Sequence, residues 1–174
     1  PSEDSLLLAK YVDKFAKGKV LDMGTGSGIL ALEAAKKAGK VVAVDVDAKA
    51  VATITNNIKK NKIKNIVAVK SNLFKNIKNQ KFDLIIFNPP YLPEHKFDRQ
   101  KDTSGGKRGD ETILRFLNQA KSHLNNTGRI FLLLSSLTPQ DRINKMIKKY
   151  YKIKKLSEKS FFFEKLEVWE LVAK

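Results

Sequence analysis

The length of 174 residues suits one domain with its own core, and 42% of the residues are hydrophobic. The absence of cysteine and the presence of only two histidines exclude a disulfide scaffold, a thiol nucleophile and a multi-histidine metal site. The formal net charge of +16 favours an anionic partner such as RNA or the ribosome, although the excess of lysine over arginine is also typical of an A/T-rich coding sequence. No apolar run approaches the ~20 residues that cross a bilayer and no signal peptide is visible, so we expect a cytoplasmic protein without a membrane partner.

Helical and strand patterns alternate along the first half of the chain. The predicted strands are 19–22, 41–45, 66–69 and 82–87, and the predicted helices are 5–12, 29–38 and 47–60. Residues 2–4 supply N-cap oxygens for the first helix, and Gly39 suits the end of the second. Residues 41–44 and 84–87 are continuous apolar runs, which are typical of parallel strands buried on both faces.

The second half begins with an irregular segment and continues with the same alternation. Residues 92–109 lack periodicity, and a long irregular segment in a compact domain is typically a functional lid or a disordered tip. The predicted elements that follow are helices at 110–124 and 139–150, a strand at 129–135, and two antiparallel strands within 151–173. The alternation indicates an open, mostly parallel α/β sheet with helices on both faces, and we predict a single domain over residues 1–174.

A glycine-rich turn and an acidic residue end the first two predicted strands. Gly24, Gly26 and Gly28 allow a tight turn and a close approach to a ligand, but their spacing is not that of a dinucleotide-binding loop. Asp45 follows 21 residues after Gly24 and can accept both hydroxyls of a ribose. A nucleoside without a pyrophosphate therefore fits best, and S-adenosylmethionine is the common one. A ligand-free strand–turn–helix junction is the alternative.

The sequence Asn-Pro-Pro-Tyr at 88–91 ends the fourth predicted strand. The Asn88 side-chain carbonyl and the Pro89 backbone carbonyl are two fixed acceptors, which can hold the two hydrogens of one planar NH₂ group. Tyr91 offers a flat face for a planar amide or base. Such a nitrogen is a poor nucleophile, so orienting it toward the methyl carbon of a sulfonium donor is the catalysis we expect, worth ~7–11 kcal/mol in favourable cases.

These motifs resemble the class I S-adenosylmethionine-dependent methyltransferases that modify an exocyclic or amide nitrogen. Residues 1–8 and 105–111 resemble elements of the short archaeal and eukaryotic branch of the HemK/PrmC family, whose members methylate the glutamine of the Gly-Gly-Gln motif in peptide-chain release factors. The resemblance implies a Rossmann-like fold with a seven-stranded, mostly parallel sheet containing one antiparallel strand. It also implies S-adenosylmethionine as cofactor and a release factor as substrate.

The resemblance assigns site residues position by position. It places the cofactor against Ser5, Asp22, Gly24, Gly26, Asp45, Asn72, Leu73 and Asn88. It places the substrate amide against Asn88, Pro89, Pro90 and Tyr91, with Asn88, Pro89 and Tyr91 as catalytic residues. The family usually has aspartate where Asn72 stands, so we expect a weaker contact with the adenine amino group there.

Two other functions remain open from the residues alone. A DNA or RNA methyltransferase acting on adenine N6 or guanine N2 needs the same grip on a planar NH₂ group, and the basic charge favours it. A non-catalytic binding module on a methyltransferase-like fold is the other, although such a module would not need an intact motif at 88–91. The resembling branch often works with a small zinc-binding activator protein, which we expect along the edge strand at 66–69.

Overall fold

The computed structural model describes residues 3–90 and 107–174, and seven strands in these ranges form a single sheet. The strands are β1 (Lys19–Met23), β2 (Lys40–Asp45), β3 (Ile66–Lys70), β4 (Phe82–Phe87), β5 (Leu124–Ser135), β6 (Tyr151–Ser160) and β7 (Lys165–Ala173). The helices are α1 (Glu3–Phe15), α2 (Ile29–Ala35), α3 (Ala48–Lys60), α4 (Glu111–Ala120) and α5 (Asp141–Tyr150), with a 3₁₀ turn at Lys121–His123.

The order of the strands across the sheet is β3-β2-β1-β4-β5-β7-β6. The first five strands in the chain pair in parallel, and β7 is antiparallel to both of its neighbours. The predicted sheet, with one antiparallel strand, is therefore confirmed. The strand order reverses between β1 and β4, where Met23 pairs with Phe87. Ligands of open parallel sheets bind at such a reversal, and here it brings the loops after β1 and β4 side by side.

Helices cover both faces of the sheet because the side chains of the central strands alternate between two apolar clusters. Leu21 and Met23 of β1 pack with α4 and α5 through residues such as Phe116 and Ile143. Val20 points to the opposite face, where the buried side chains of α1, α2 and α3 pack. Both faces of β1 are thus buried, which explains why Val20, Leu21 and Met23 are all apolar although they alternate between the two faces.

Two predicted boundaries near the start of the chain are wrong. The first helix begins at Glu3, so Asp4 lies in its first turn rather than before it. The second helix ends at Ala35 rather than residue 38, because the amides of Lys36 and Lys37 bond three residues back and tighten the turn. The Gly39 amide does not cap that helix and donates to the Gly18 carbonyl at 2.9 Å.

The predicted helix at 110–124 is also wrong in its last turn. The α-helix ends at Ala120, and Leu124 already pairs with Phe82, so β5 begins five residues before the predicted 129. The His123 ring stacks on Phe74 with 4.3 Å between centroids and its Nδ1 lies 2.7 Å from the Gln80 carbonyl, which fixes the chain for entry into the sheet. A Cβ on Gly128 would lie 2.7 Å from the Phe82 carbonyl, so glycine is required where β5 bulges.

Candidate active site

A cavity of about 290 Å³ opens at the carboxyl ends of the parallel strands, at the reversal between β1 and β4. Seven residues of the predicted site line it: Gly24, Gly26, Asp45, Asn72, Leu73, Asn88 and Pro90. Seven others complete the lining: Met23, Val44, Val46, Ser71, Phe87, Thr112 and Arg115. The fold therefore gathers side chains from positions 23 to 115 around one space of the size that a nucleoside requires.

The glycine loop, residues 24–28, forms the wall of the cavity that follows β1. Gly26 has a φ of +51° with open space around it, so its glycine is needed for the left-handed backbone rather than for room. Gly28 needs both, because a Cβ there would lie 2.5 Å from Ile54. The loop is pinned to β2 by the Thr25 amide, which donates to the Val44 carbonyl at 2.8 Å.

Asp45 links the loops after β1 and β2. Its Oδ2 accepts a hydrogen bond of 2.9 Å from the Gly26 amide, and its Oδ1 accepts one of 2.9 Å from the Asp47 amide. Each carboxylate oxygen has a second lone-pair direction, so both can still accept from the hydroxyls of a ribose. The carboxylate is therefore oriented before any ligand arrives.

Asp22 lies behind the glycine loop and is not among the described residues that line the cavity. It is 1% exposed, and the Thr25 hydroxyl donates to its Oδ2 at 2.7 Å. Burial raises the pKa of Asp22 to about 7, against the opposing effect of hydrogen bonds from Thr25 and the Ala31 backbone. Its position supports the loop from within, and its predicted contact with the cofactor stays a prediction.

Asn88 follows β4, and only one of the two polar atoms of its side-chain amide has a hydrogen-bond partner among the described residues. Its Nδ2 donates to Asp4 Oδ2 at 3.1 Å, and this bond joins α1 to the site. Its Oδ1 is buried without a hydrogen-bond partner within the described parts of the chain. Buried acceptors are paired in the great majority of cases, and leaving one unpaired costs ~1–3 kcal/mol. Among the described residues, this oxygen is therefore left available to accept from a donor.

The other predicted residues take different positions. Ser5 lies in the first turn of α1, half-buried, and Pro89 is buried; neither is among the described lining residues. Tyr91 and the 92–106 part of the expected lid lie outside the described residues. Just before α4, the Arg108 and Gly109 amides donate to the Glu111 carboxylate, which ties these residues to the first turn of the helix.

Among the seven lining residues that were not predicted, Thr112 and Arg115 come from α4, an element that the sequence did not place at the site. They lie three positions apart, beside the buried face formed by Ile113 and Phe116, so the amphipathic pattern of the helix was the available signal. Arg115 also borders a second depression of about 420 Å³, which Lys75, Lys78 and His123 help to line. Asn72 and Arg115 border both spaces, so the cavity adjoins a basic surface on this side.

An ion pair holds α4 in place against α5. The buried Asp110 carboxylate accepts from Arg142 Nε at 2.9 Å and from a second nitrogen of the same guanidinium. This hydrogen-bonded arginine lowers the pKa of Asp110 below its usual range. The pair fixes the start of the helix that brings Thr112 to the cavity.

No group of three or more metal-ligating side chains occurs within residues 3–90 and 107–174. In the same ranges, each helix is too short or too polar to cross a bilayer. The polar and apolar groups that line the cavity are the glycine loop, the Asp45 carboxylate, apolar side chains and the Asn88 amide.

A sheet with this strand order, carrying these groups at its reversal, defines a Rossmann-like class I methyltransferase. The model of the methyltransferase small domain matches residues 3–162, and the chain belongs to that family. The methyl donor of such an enzyme is S-adenosylmethionine. The lining suits its adenosine part, because the Asp45 carboxylate is an acceptor for hydroxyl groups while Val46, Leu73 and Phe87 offer apolar surface to a base.

Two relatives and one solved structure are similar to this chain over most of its length. A protein of Methanocaldococcus jannaschii, provisionally named a protein N5-glutamine methyltransferase, is 38% identical over 98% of this chain and 91% of its own length. A release factor glutamine methyltransferase of Rhodopirellula baltica is 34% identical over 68% of this chain and 45% of its own. The solved E. cuniculi Mtq2–Trm112 complex, responsible for methylation of the eRF1 translation termination factor, has a TM-score of 0.75 at 22% identity, covering 98% of this chain and 95% of that chain.

Proposed function

We propose that this protein transfers a methyl group from S-adenosylmethionine to the side-chain amide nitrogen of the glutamine in the Gly-Gly-Gln motif of a peptide-chain release factor, in the cytoplasm. The single observation that supports the chemistry is the buried Oδ1 of Asn88, which has no partner among the described residues and lies beside the nucleoside-sized cavity. The relationship to a protein N5-glutamine methyltransferase over 98% of the chain supports glutamine as the acceptor.

The cofactor side of the proposal uses the groups around the cavity. Asp45 holds the ribose hydroxyls, and Asn72 and Leu73 flank the adenine. Gly24 and Gly26 bring backbone close to the nucleoside, while Ser5 and Asp22 act at its methionine end. An amide in place of the usual carboxylate at Asn72 still offers an acceptor to the adenine amino group, without charge.

The acceptor side uses the Asn-Pro-Pro loop, residues 88–90. Asn88 Oδ1 and the Pro89 carbonyl accept the two hydrogens of the glutamine NH₂, with Pro90 and Tyr91 beside it. S-adenosylmethionine supplies an electrophilic methyl carbon bound to a sulfonium. With S-adenosylmethionine bound, the two acceptors would aim the nitrogen lone pair at that carbon. As the N–C bond formed, the C–S bond would break and leave S-adenosylhomocysteine, and the nitrogen would then release its proton to water. No general base is required, because the amide nitrogen is a strongly acidic cation directly after it gains the methyl group.

Asp4 positions Asn88 for this grip. A carboxylate is only an acceptor, so it binds the NH₂ end of the Asn88 amide and leaves the oxygen to face the substrate. Without Asp4, the amide could turn over and present a donor where an acceptor is needed. The N-terminal helix thus contributes to catalysis by fixing one torsion of a residue 84 positions away.

A base-methylating enzyme is the second candidate, because the depression bordered by Lys75, Lys78 and Arg115 suits nucleic-acid phosphates. A base in a duplex must be flipped out and its ring edge read, which requires aromatic and polar surface around the reacting group. Phe87 is the only aromatic lining residue within the described ranges. A glutamine on a flexible loop enters with little distortion, and the basic surface would then face RNA near the substrate.

We also propose a small zinc-binding activator as partner, docked on β3. This strand lies at one edge of the sheet, where no further strand of the described residues pairs with it, and Val67 is 43% exposed. Mtq2, whose fold is similar to that of this chain, was solved in complex with Trm112.

A methyl-transfer assay tests the proposal. Labelled S-adenosylmethionine is offered with a purified release factor, its Gly-Gly-Gln glutamine-to-alanine variant, tRNA, ribosomal RNA and DNA, with and without the activator. We expect label on the release factor and none on its alanine variant. Label on nucleic acid alone would overturn the proposal in favour of the second candidate. The Asn88→Ala enzyme is the matched control for contaminating activity.

A further inference from the structure

The turn between β6 and β7 presents a phenylalanine tip, defined as Phe161, Phe162 and Phe163. Phe162 is 92% exposed and Phe163 is 84% exposed, whereas large aromatic side chains are ordinarily buried. The rings of these two residues pack edge to face with 4.6 Å between centroids. A contiguous apolar cluster of this kind on a basic protein indicates an interaction surface.

Hydrogen bonds fix the base of the tip to the carboxyl end of β5. Ser135 Oγ donates to Glu164 Oε1 at 2.6 Å, and the Lys165 amide donates to Ser136 Oγ at 2.8 Å. The turn is closed by the Phe161 amide, which donates to the Glu164 carbonyl at 2.7 Å. The rings are therefore held out on a structured turn, which lowers the entropy lost when a partner binds them.

The tip rises from the same edge of the sheet as the active site. In the pairing register, Phe87 lies opposite Leu132 and Ser135 lies opposite Leu166, at the start of β7. At roughly 3.3 Å per residue and about 4.8 Å per strand, the tip stands roughly 10–20 Å beyond the level of Phe87 and about 10 Å to one side. The tip is therefore within reach of a macromolecule that delivers a side chain to Asn88.

The charges around the tip decide which class of macromolecule it suits. Three lysines and three glutamates flank it: Lys155, Lys159, Lys165, Glu158, Glu164 and Glu167. Lys155 pairs with Glu158 at 2.6 Å, and Lys165 pairs with Glu167 at 3.0 Å. RNA and anionic lipid are bound through an excess of positive charge, which is absent here among the described residues. An apolar recess on a protein is the matching surface.

We propose that the phenylalanine tip is a docking element for the protein acceptor and inserts Phe162 and Phe163 into an apolar recess beside the methylated loop. This inference rests on the proposed function and adds a second point of contact, outside the catalytic cavity. Buried aromatic anchors dominate many protein interfaces, so the tip is expected to determine affinity for the intact substrate and not the rate of methyl transfer.

The test compares the double variant Phe162→Ser/Phe163→Ser with the wild type and with Ile153→Ser. Ile153 is 45% exposed on β6, away from the tip, and serves as the matched control for loss of surface apolar area. The substrates are the intact release factor and a short Gly-Gly-Gln peptide. We expect the double variant to raise KM for the intact protein at least 10-fold with kcat unchanged, and to leave kcat/KM for the peptide within 2-fold.

Each result decides between named alternatives. An unchanged KM for the intact release factor in the double variant overturns the docking role while the proposed function stands. A wild-type enzyme that methylates neither protein nor peptide overturns the proposed function, and the docking role with it. Vesicle or RNA binding that is lost in the double variant, together with an unchanged KM for the protein, assigns the tip to that partner instead. Circular dichroism confirms that the exposed substitutions preserve the fold.

Discussion

The glycine loop and the Asn-Pro-Pro loop lie side by side at the reversal of the sheet, yet their polar groups are used in opposite ways. In the glycine loop the groups bind one another: Thr25 donates to Asp22, and the Gly26 amide donates to Asp45. After β4, Asn88 is bound at one end only, and its oxygen is buried with no partner in the described chain.

This difference indicates that the glycine loop binds the cofactor and that the Asn-Pro-Pro loop orients the reacting group. A loop whose donors and acceptors are already paired keeps its shape whether or not a ligand is present, which suits a binding wall. A buried acceptor without a partner gains most when a donor arrives, so its interaction energy is available to orient a reacting group. Substitutions in the two loops should therefore affect different kinetic constants.

The largest effect is expected at Asn88. Replacement by alanine removes the acceptor that aims the amide nitrogen, and we expect kcat to fall ~10²-fold or more while cofactor affinity changes only a few-fold. Asn88→Asp should lose less, since an acceptor oxygen remains. Single-turnover kinetics and calorimetric titration with S-adenosylmethionine measure the two quantities. If cofactor affinity fell as steeply as turnover, Asn88 would act mainly as a cofactor ligand, and the two loops would not differ in function.

The next effect is expected at Asp45, on the binding side of the comparison. Asp45→Ala removes charged hydrogen bonds to the ribose and should weaken S-adenosylmethionine binding by ~1.5–3 kcal/mol, or roughly 10–150-fold. The rate at saturating cofactor should change much less. The fold should survive, because the carboxylate is at the cavity rim. Unchanged affinity in titration would remove Asp45 from the site.

A smaller effect is expected at Asp4, whose carboxylate accepts the hydrogen bond of the Asn88 side chain in the described part of the chain. Asp4→Ala should lower kcat about 10-fold without changing cofactor affinity, because the Asn88 amide is then free to turn over. Asp4→Asn keeps an acceptor and should recover most of the rate. Equal rates for the alanine and asparagine variants would contradict the positioning role.

The smallest effect is a pH dependence carried by Asp22. Its pKa is raised to about 7 in the folded protein from an ordinary value near 3.8, so the folded state binds the proton more tightly and stability falls as pH rises between these values. Between pH 5 and pH 6 the wild type should lose about 1 kcal/mol that Asp22→Asn does not lose. Urea unfolding of both proteins at the two pH values measures the difference, and parallel curves would contradict it.

The parts of the site that follow strand ends could be predicted from sequence, because the carboxyl ends of parallel strands meet at one edge. Gly24, Asp45 and Asn88 belong to this group, and all three line the cavity. The bond between Asp4 and Asn88 could not be predicted, since it depends on how α1 packs on the sheet. Thr112 and Arg115 were missed for the same reason: an amphipathic pattern gives the buried face of a helix but not what its flank meets.

The fold shows a similar limit. Apolar runs and glycines located every strand and the antiparallel tail, but not the last helical turn before β5. Residues 121–124 have ordinary helical sequence, and the competing contacts of His123 with Phe74 and Gln80 come from segments about 40 residues earlier. Tertiary contacts override local propensity at such boundaries.

The position of β7 between β5 and β6 has a consequence for how the chain folds as it is synthesised. Residues 151–160 leave the ribosome first but have no strand to pair with until residues 165–173 follow, because β6 touches the sheet only through β7. Until then the outer edge of β5, with its run of buried leucines, stays open to other chains. The lysines of β6 keep this unpaired strand soluble while it has no partner. The basic sequence of β6 thereby opposes aggregation of the nascent chain.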